Sequence, residues 1–405
     1  MKKKIFYLIT LLLSTVLQAQ SLEHYLSLAL SNNPQLQALK MRYEIAEEKI
    51  NQAAAVPKAT FGAGYFASEP ETRTGPQRFK LSVSQMLPWF GTLKARQDYA
   101  RSLVETEGLD RLIVERQLAL SLAQSYYRLY GYQQKMHIVE TAIELFKSYE
   151  ALALKAVENG SASVVNVLQL QIEQNKLSEE FLKIQELEKA EEVAFANLLS
   201  DDSFEGIQFS EMLEIPLEDL MHEQSRLAVN PEILKYDKLF ATVQQSEIVN
   251  QKEAQPSLGL GLDYIAVQQR SDVLLNENGK DILMPMLKLS VPLFKSKHSS
   301  VAQQLELRQR ELNYEKNHRL NLLENKLAQA IALQNQAQIS FKSQDANSAQ
   351  TQKMKEVVLS NFESDRQKLT EVIAMEQLYL QFEFKKIEAV VQFYSQTALI
   401  NYLIF

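Results

Sequence analysis

Few side chains in this sequence stand at spacings that could do chemistry. Met284 and Met286 lie two residues apart. On a strand they share a face, and their soft sulfurs could contact copper or silver. Thioethers so placed also serve as plain gap fillers. The histidines, His24, His137, His222, His298 and His318, show no i, i+4 pair of the kind that grips a metal on a helix. No phosphate-cradling glycine loop, nucleophile elbow or paired-carboxylate motif is present. Cysteine is absent, which excludes disulfides, thiolate catalysis, thiolate metal sites and a lipid on an N-terminal cysteine. These residues describe a chain that is not an enzyme and needs no cofactor. The net charge of −7, with acids and bases interspersed, offers no basic patch to nucleic acid.

The weight of the sequence lies in its periodicity. Leu118, Leu122, Ser125, Leu129, Tyr132, Met136, Val139, Ile143 and Phe146 follow steps of four and three, a heptad seam. No proline falls between Gly91 and Gly160. A helix through that span has about 68 residues and reaches about 100 Å. Such a helix must pack on partners of similar length, and the chain supplies them. Leu320, Leu323, Leu327, Ala330, Gln334, Ala337 and Phe341 repeat the seam. Shorter returning seams are Val167, Leu170, Leu177, Phe181 and Ile184, then Val372, Met375, Tyr379 and Phe382.

The order of signals occurs twice. Asn33-Pro34 opens a helical stretch that Pro57 ends, and Asn230-Pro231 opens another that Pro256 ends. Each is followed by a Gly-x-Gly strand, at Gly62 and Gly64 and at Gly259 and Gly261. Phe79-Lys80-Leu81-Ser82-Val83 matches Leu287-Lys288-Leu289-Ser290-Val291. The strand-to-helix junction Pro88-Trp89-Phe90 matches Pro292-Leu293-Phe294. Helix breaks follow at Asn159-Gly160-Ser161 and at Ser364-Asp365-Arg366. The chain therefore reads as a duplication. Residues 1–20, with Lys2 to Lys4 before an apolar run, read as a cleaved signal peptide. Residues 21–216 form the first repeat, with strands at about 59–67 and 78–87 and a hairpin turn near 160. Residues 217–405 form the second, with strands at about 257–267 and 283–293 and a turn near 365.

The strands alternate. Leu258, Leu260, Leu262 and Tyr264 fall on one face, with Gly259, Gly261 and Asp263 on the other. An apolar face over eight to ten residues suits lipid-facing barrel strands. Tyr65, Tyr264, Phe79, Trp89 and Phe90 sit where an aromatic girdle would. Four strands cannot close a barrel around a channel, but three copies of the chain supply twelve. The same alternation also fits an amphipathic sheet packed on a water-soluble core.

Together these features resemble the TolC family of outer-membrane efflux channels. The carriers are the repeated Asn-Pro helix starts, the Gly-x-Gly strands, the Pro-x-Phe junctions and the turn Gly160-Ser161-Ala162-Ser163-Val164-Val165-Asn166-Val167-Leu168. Ser84 to Lys94 looks most like the branch paired with heavy-metal pumps of the resistance-nodulation-division class, and Asp281 to Met286 points the same way.

The resemblance implies a mainly α fold with a small transmembrane β part. Duplicated long α-hairpins and four strands per chain would form a homotrimeric twelve-stranded β-barrel and an α-helical tunnel. Residues 208–226 and the C-terminal end would add to a collar around it. It further implies a passive outer-membrane duct in a Gram-negative cell, with the tunnel in the periplasm. The partners would be a periplasmic adaptor, an inner-membrane pump and outer-membrane lipid, and the cargo heavy-metal cations or drugs. The adaptor would dock at the hairpin tips, Asn159, Gly160 and Ser161 with Ser364, Asp365 and Arg366. The gate would be Asn166, Phe362, Gln367 and Glu371. In the best-known gate an acid, an aromatic residue and a base stand where this chain has Asn166, Phe362 and Gln367. Those changes remove charged locks. The competing reading is a structural coiled-coil protein of the periplasm or cell surface without transport activity.

Overall fold

The computed structural model describes residues 21–160, 163–209, 212–216, 224–272, 276–364 and 367–404. Helix α1 (Leu22–Asn32) starts at Ser21, whose hydroxyl accepts from His24 N. Helix α2 (Pro34–Ala53) starts at Asn33, whose Oδ1 accepts from Gln35 N at 2.9 Å and Leu36 N at 3.2 Å. Proline suits the first helical position because the amide it lacks would have no intrahelical partner. The second Asn-Pro pair also opens a helix, and its asparagine reaches a distant one. Asn230 Nδ2 donates to Leu403 O at 2.9 Å, near the end of the last helix.

Strands β1 (Thr60–Tyr65), β2 (Glu71–Thr72) and β3 (Gly75–Leu87) come next. The long helix α3 (Thr92–Glu158) has 67 residues and returns as α4 (Val164–Leu199). The second half gives α5 (Pro231–Glu253), β4 (Ser257–Val267), β5 (Ile282–Ser290), α6 (Ser296–Glu363) and α7 (Leu369–Ile404). A 3-10 turn spans Gln224–Val229. The predicted signal peptide and the tip residues Ser161, Asp365 and Arg366 lie outside the described residues. Among the described residues no helix is long and apolar enough to cross a membrane.

Two compact units emerge, and neither coincides with a sequence repeat. One holds residues through Ala38, Leu112–Asn230 and Leu320 onward. The other holds Leu39–Arg111 and Pro231–Arg319.

The second unit contains the sheet. Its order is β1-β3-β4-β5, all antiparallel, with β2 paired on β3. The central pairing, β3 on β4, joins strands from the two repeats. Strand β3 begins inside the segment that its prolines and glycines mark as a loop. Thr72 Oγ1 donates to Gly75 O at 2.7 Å, and Gly75, at φ +131°, turns the chain back. At the far end β5 stops at Ser290, because Pro292 has no amide for the ladder.

The register sorts the side chains by face. Phe61, Leu81, Leu260 and Leu287 lie on one, and Phe61 and Leu287 are 80% and 73% exposed. The opposite face carries Gly62, Lys80, Ser82, Asp263, Met284 and Lys288. Leu81 and Leu260 are exposed as well, so among the described residues the apolar face is left uncovered.

The other unit is helical. Leu122, Ser125, Leu129, Val139 and Phe146 of α3 are buried, as are Leu323, Leu327, Ala330, Gln334 and Ala337 of α6. In α7 the buried positions are Val372, Glu376, Glu383, Ile387 and Val390. Met375, Tyr379 and Phe382 are half-buried beside them. Past Val372 the buried line therefore shifts from Met375 to Glu376 and from Phe382 to Glu383, and two carboxylates lie in it.

Candidate functional site

The two helical turns share one core. Phe146, Tyr149 and Ala153 of α3 pack with Val167 and Leu170 of α4 and with Leu369, Val372 and Ile373 of α7. Phe362 of α6 packs on this cluster half-buried. Four helix ends thus meet around one set of apolar side chains.

The first turn is built by a left-handed glycine. Gly160 has φ +74°, and its amide donates to Val157 O at 2.9 Å. A side chain there would strain the backbone, though nothing crowds the space beside it. The Asn159 amide donates to Lys155 O, still within the last turn of α3. Ser163 caps α4 by accepting from Val165 N at 3.2 Å. Asn166 follows half-buried, its amide on Ser163 O at 3.0 Å. In the second turn Ser364 is exposed, and its hydroxyl donates to Ser360 O at 3.0 Å. Gln367 is half-buried, with an Oε1 that has no hydrogen-bond partner. Glu371 stands exposed in the first turn of α7, where the positive helix end favours a carboxylate.

One turn further from the tip core lies a group that apolar periodicity could not find. Glu376 is 3% exposed and receives Tyr149 Oη at 3.1 Å and Lys355 Nζ at 2.6 Å. The Lys355 ammonium also sits 4.1 Å from the Tyr379 ring centre. These contacts bring α3, α6 and α7 to one buried charge pair. A second carboxylate, Glu383, accepts from Ser348 Oγ and from Lys386 Nζ at 2.8 Å. Burial alone would lower the Lys386 ammonium, but the Glu383 hydrogen bond and charge, with Asp345, raise it. Burial, then the Glu383 carboxylate, pushes the Tyr379 hydroxyl above its ordinary value. The sequence signal was a glutamate one place after Met375 and one place after Phe382.

The predicted junction residues lie in the sheet unit. Pro88, Trp89 and Pro292 are half-buried and line a cavity of ≈ 380 Å³. Phe90 and Phe294 point outward at 78% and 84% exposure, so the matched phenylalanines of the repeats share one fate. The rings of Trp89 and Phe90 meet edge-on at 5.8 Å.

Met284 and Met286 share the polar face of β5. Met284 lies opposite Asp263 and Met286 opposite Gly261. The Met286 methyl would be 3.2 Å from a β-carbon on Gly261. Met286 therefore fills the space that glycine leaves. Asp263 itself is fully buried and ion-paired with Lys80. Among the described residues no group of three or more His, Asp or Glu could hold a metal.

No protein of curated function matches the sequence. Residues 25–200 match the model of the outer membrane efflux protein family. Solved structures match nearly the whole chain. CusC, a protein whose crystal structures concern folding and transmembrane channel formation, superposes with a TM-score of 0.77 at 17% identity, over 95% of this chain and 92% of that one. The outer membrane protein VceC of Vibrio cholerae gives 0.71 at 18% identity, over 94% and 95%. The open-state MtrE outer membrane channel of Neisseria gonorrhoeae gives 0.71 at 14% identity, over 95% and 88%. At such identities the likeness establishes the fold.

Proposed function

We propose that this chain, whose residues 25–200 match the model of the outer membrane efflux protein family, is the outer-membrane exit duct of a tripartite efflux system. Three copies close the barrel. An inner-membrane pump of the resistance-nodulation-division class drives the transport, and a periplasmic adaptor bridges pump and duct. The cargo class is heavy-metal cations or drugs. This chain conducts passively and catalyses nothing.

The observation that carries the reading is the sheet. One face is apolar and uncovered, the other is polar, and β1 and β5 each keep an unpaired edge among the described residues. Uncovered apolar strands with open edges would aggregate in water. Lipid on the apolar face and neighbouring copies at the edges remove both problems. The shared core of the two turns supports a periplasmic gate built from Asn166, Phe362, Gln367 and Glu371. The adaptor docks at the tips, Asn159, Gly160 and Ser161 with Ser364, Asp365 and Arg366, and the exposure of Ser364 supports this.

The test is membrane fractionation, detergent extraction and mass determination of the unheated complex. The expected species is an outer-membrane complex of three protomers. A monomer or dimer released by osmotic shock would sink the barrel and favour a structural coiled-coil protein.

A further inference from the structure

We propose that the cavity at the strand–helix junction is an anion-binding site for the phosphate or carboxylate of a small molecule. Its cations are Arg96, Lys252 and Lys297, and its one carboxylate is Glu253. Glu253 is engaged, accepting from Arg96 Nη2 at 2.7 Å and Nε at 3.0 Å. Its charge is thereby answered, and so is that of Arg96. Lys252 and Lys297 have no ion-pair partner among the described residues. His298 is occupied, its Nδ1 3.0 Å from Asn250 Oδ1. The cavity thus holds two unanswered positive charges in a chain whose net charge is −7. Like charges gathered in a recess repel, and an anion between them removes that cost.

A second observation points into the same space. Thr92, at the start of α3, is 1% exposed and lines the cavity, and its buried Oγ1 has no hydrogen-bond partner. A buried hydroxyl without a partner is destabilising, and an oxyanion bound beside it would accept from it. Lys252 is turned toward this end of α3, its Nζ 3.6 Å from where a β-carbon on Gly91 would sit. The positive end of the helix adds to the field.

The strand wall of the cavity is Ser257 opposite Ser290, and Ser290 shares the polar face with Lys288. Lys288 also has no ion-pair partner among the described residues. That this face lines a lumen rests on the channel reading above; affinity for an anion does not. The anion could belong to a molecule in transit or to a phospholipid headgroup.

Trp89 is the sole tryptophan and lines the cavity, so it reports occupancy. Full-length protein in detergent would be titrated with sodium phosphate against sodium chloride at matched ionic strength. A second titration would use vesicles of phosphatidylglycerol against phosphatidylcholine. The expected result is a saturable change in Trp89 emission with phosphate, weakened at least about tenfold in Lys252→Gln/Lys297→Gln. Thr92→Val should weaken it less. Response to phosphatidylglycerol without response to free phosphate would also support the site and assign it to headgroups. Chloride reproducing the change, or the double variant titrating like the parent, would overturn the proposal. Either result leaves the extraction test of the channel untouched.

Discussion

Gly131 of α3 lies so close to Val391 of α7 that a β-carbon on it would sit 2.7 Å from Val391 Cγ2. Glycine lowers helix propensity, and here the loss secures a close helix crossing. Gly108 on the same helix has only Tyr43 Cε2 at 3.7 Å, an ordinary contact. Gly131→Ala is expected to destabilise by about 1–3 kcal/mol through overpacking. Gly108→Ala should stabilise by about 0.5–1 kcal/mol. Thermal unfolding of the two variants side by side checks this, and shifts of the same sign would remove the crossing from the account.

The Glu376–Lys355 pair predicts a non-additive mutant cycle. Glu376→Ala leaves a largely buried ammonium alone and should cost about 3–5 kcal/mol. Lys355→Met/Glu376→Leu removes both charges and should cost less than either single change. Tyr149→Phe removes one hydrogen bond to the carboxylate, worth about 1.5–3 kcal/mol. Denaturant titration of these three variants and of the single changes Lys355→Met and Glu376→Leu measures the cycle, and additivity would show that the two side chains do not act as a pair.

Leu287 of β5 opposes Leu260 of β4 on the uncovered face. If lipid covers that face, Leu287→Arg should cost about 2–4 kcal/mol of folding in a bilayer. Ser82→Gln, on the opposite face, should be tolerated. Insertion into lipid, followed by the mobility of unheated samples, separates the two; equal behaviour would contradict the facial assignment.

Glu371 is exposed at the start of α7. Three copies at a pore mouth would favour cations. Glu371→Gln should reduce cation over anion preference in planar bilayers while costing only about 0.3–1 kcal/mol from the helix end. An unchanged reversal potential would remove Glu371 from the gate.

Alkaline pH should loosen the helical unit. Burial, then Tyr126, raises Tyr25 to about 12, and burial, then Tyr394 and Tyr126, raises Tyr127 to about 12. An unfolded tyrosine ionises near 10, so above that pH the unfolded chain sheds protons that the folded chain keeps. Stability should fall as pH rises from about 10 to 12. Tyr25→Phe and Tyr127→Phe should each blunt the fall when unfolding is followed by circular dichroism, and a fall as steep as the parent's would exclude that tyrosine.

The sequence by itself determined the order of the four long helices and the four longer strands, the duplication and the facial parity of β4 and β5; it did not show α1 or β2. Each is written in neighbouring residues. Alternation fixes which strand face is apolar, and heptads fix that α3 and α6 are long and packed. The Gly160 turn was legible because glycine readily takes φ +74°. What tertiary structure alone decided depends on partners distant in sequence. The β3–β4 pairing joins the two repeats, and no local signal specifies it. Glu376 reads as a surface charge until Tyr149 and Lys355 arrive from other helices. The junction cavity likewise exists only where the start of α3 meets Lys252 and Lys297. A buried charge is set by what surrounds it, and periodicity along one chain segment carries no record of that.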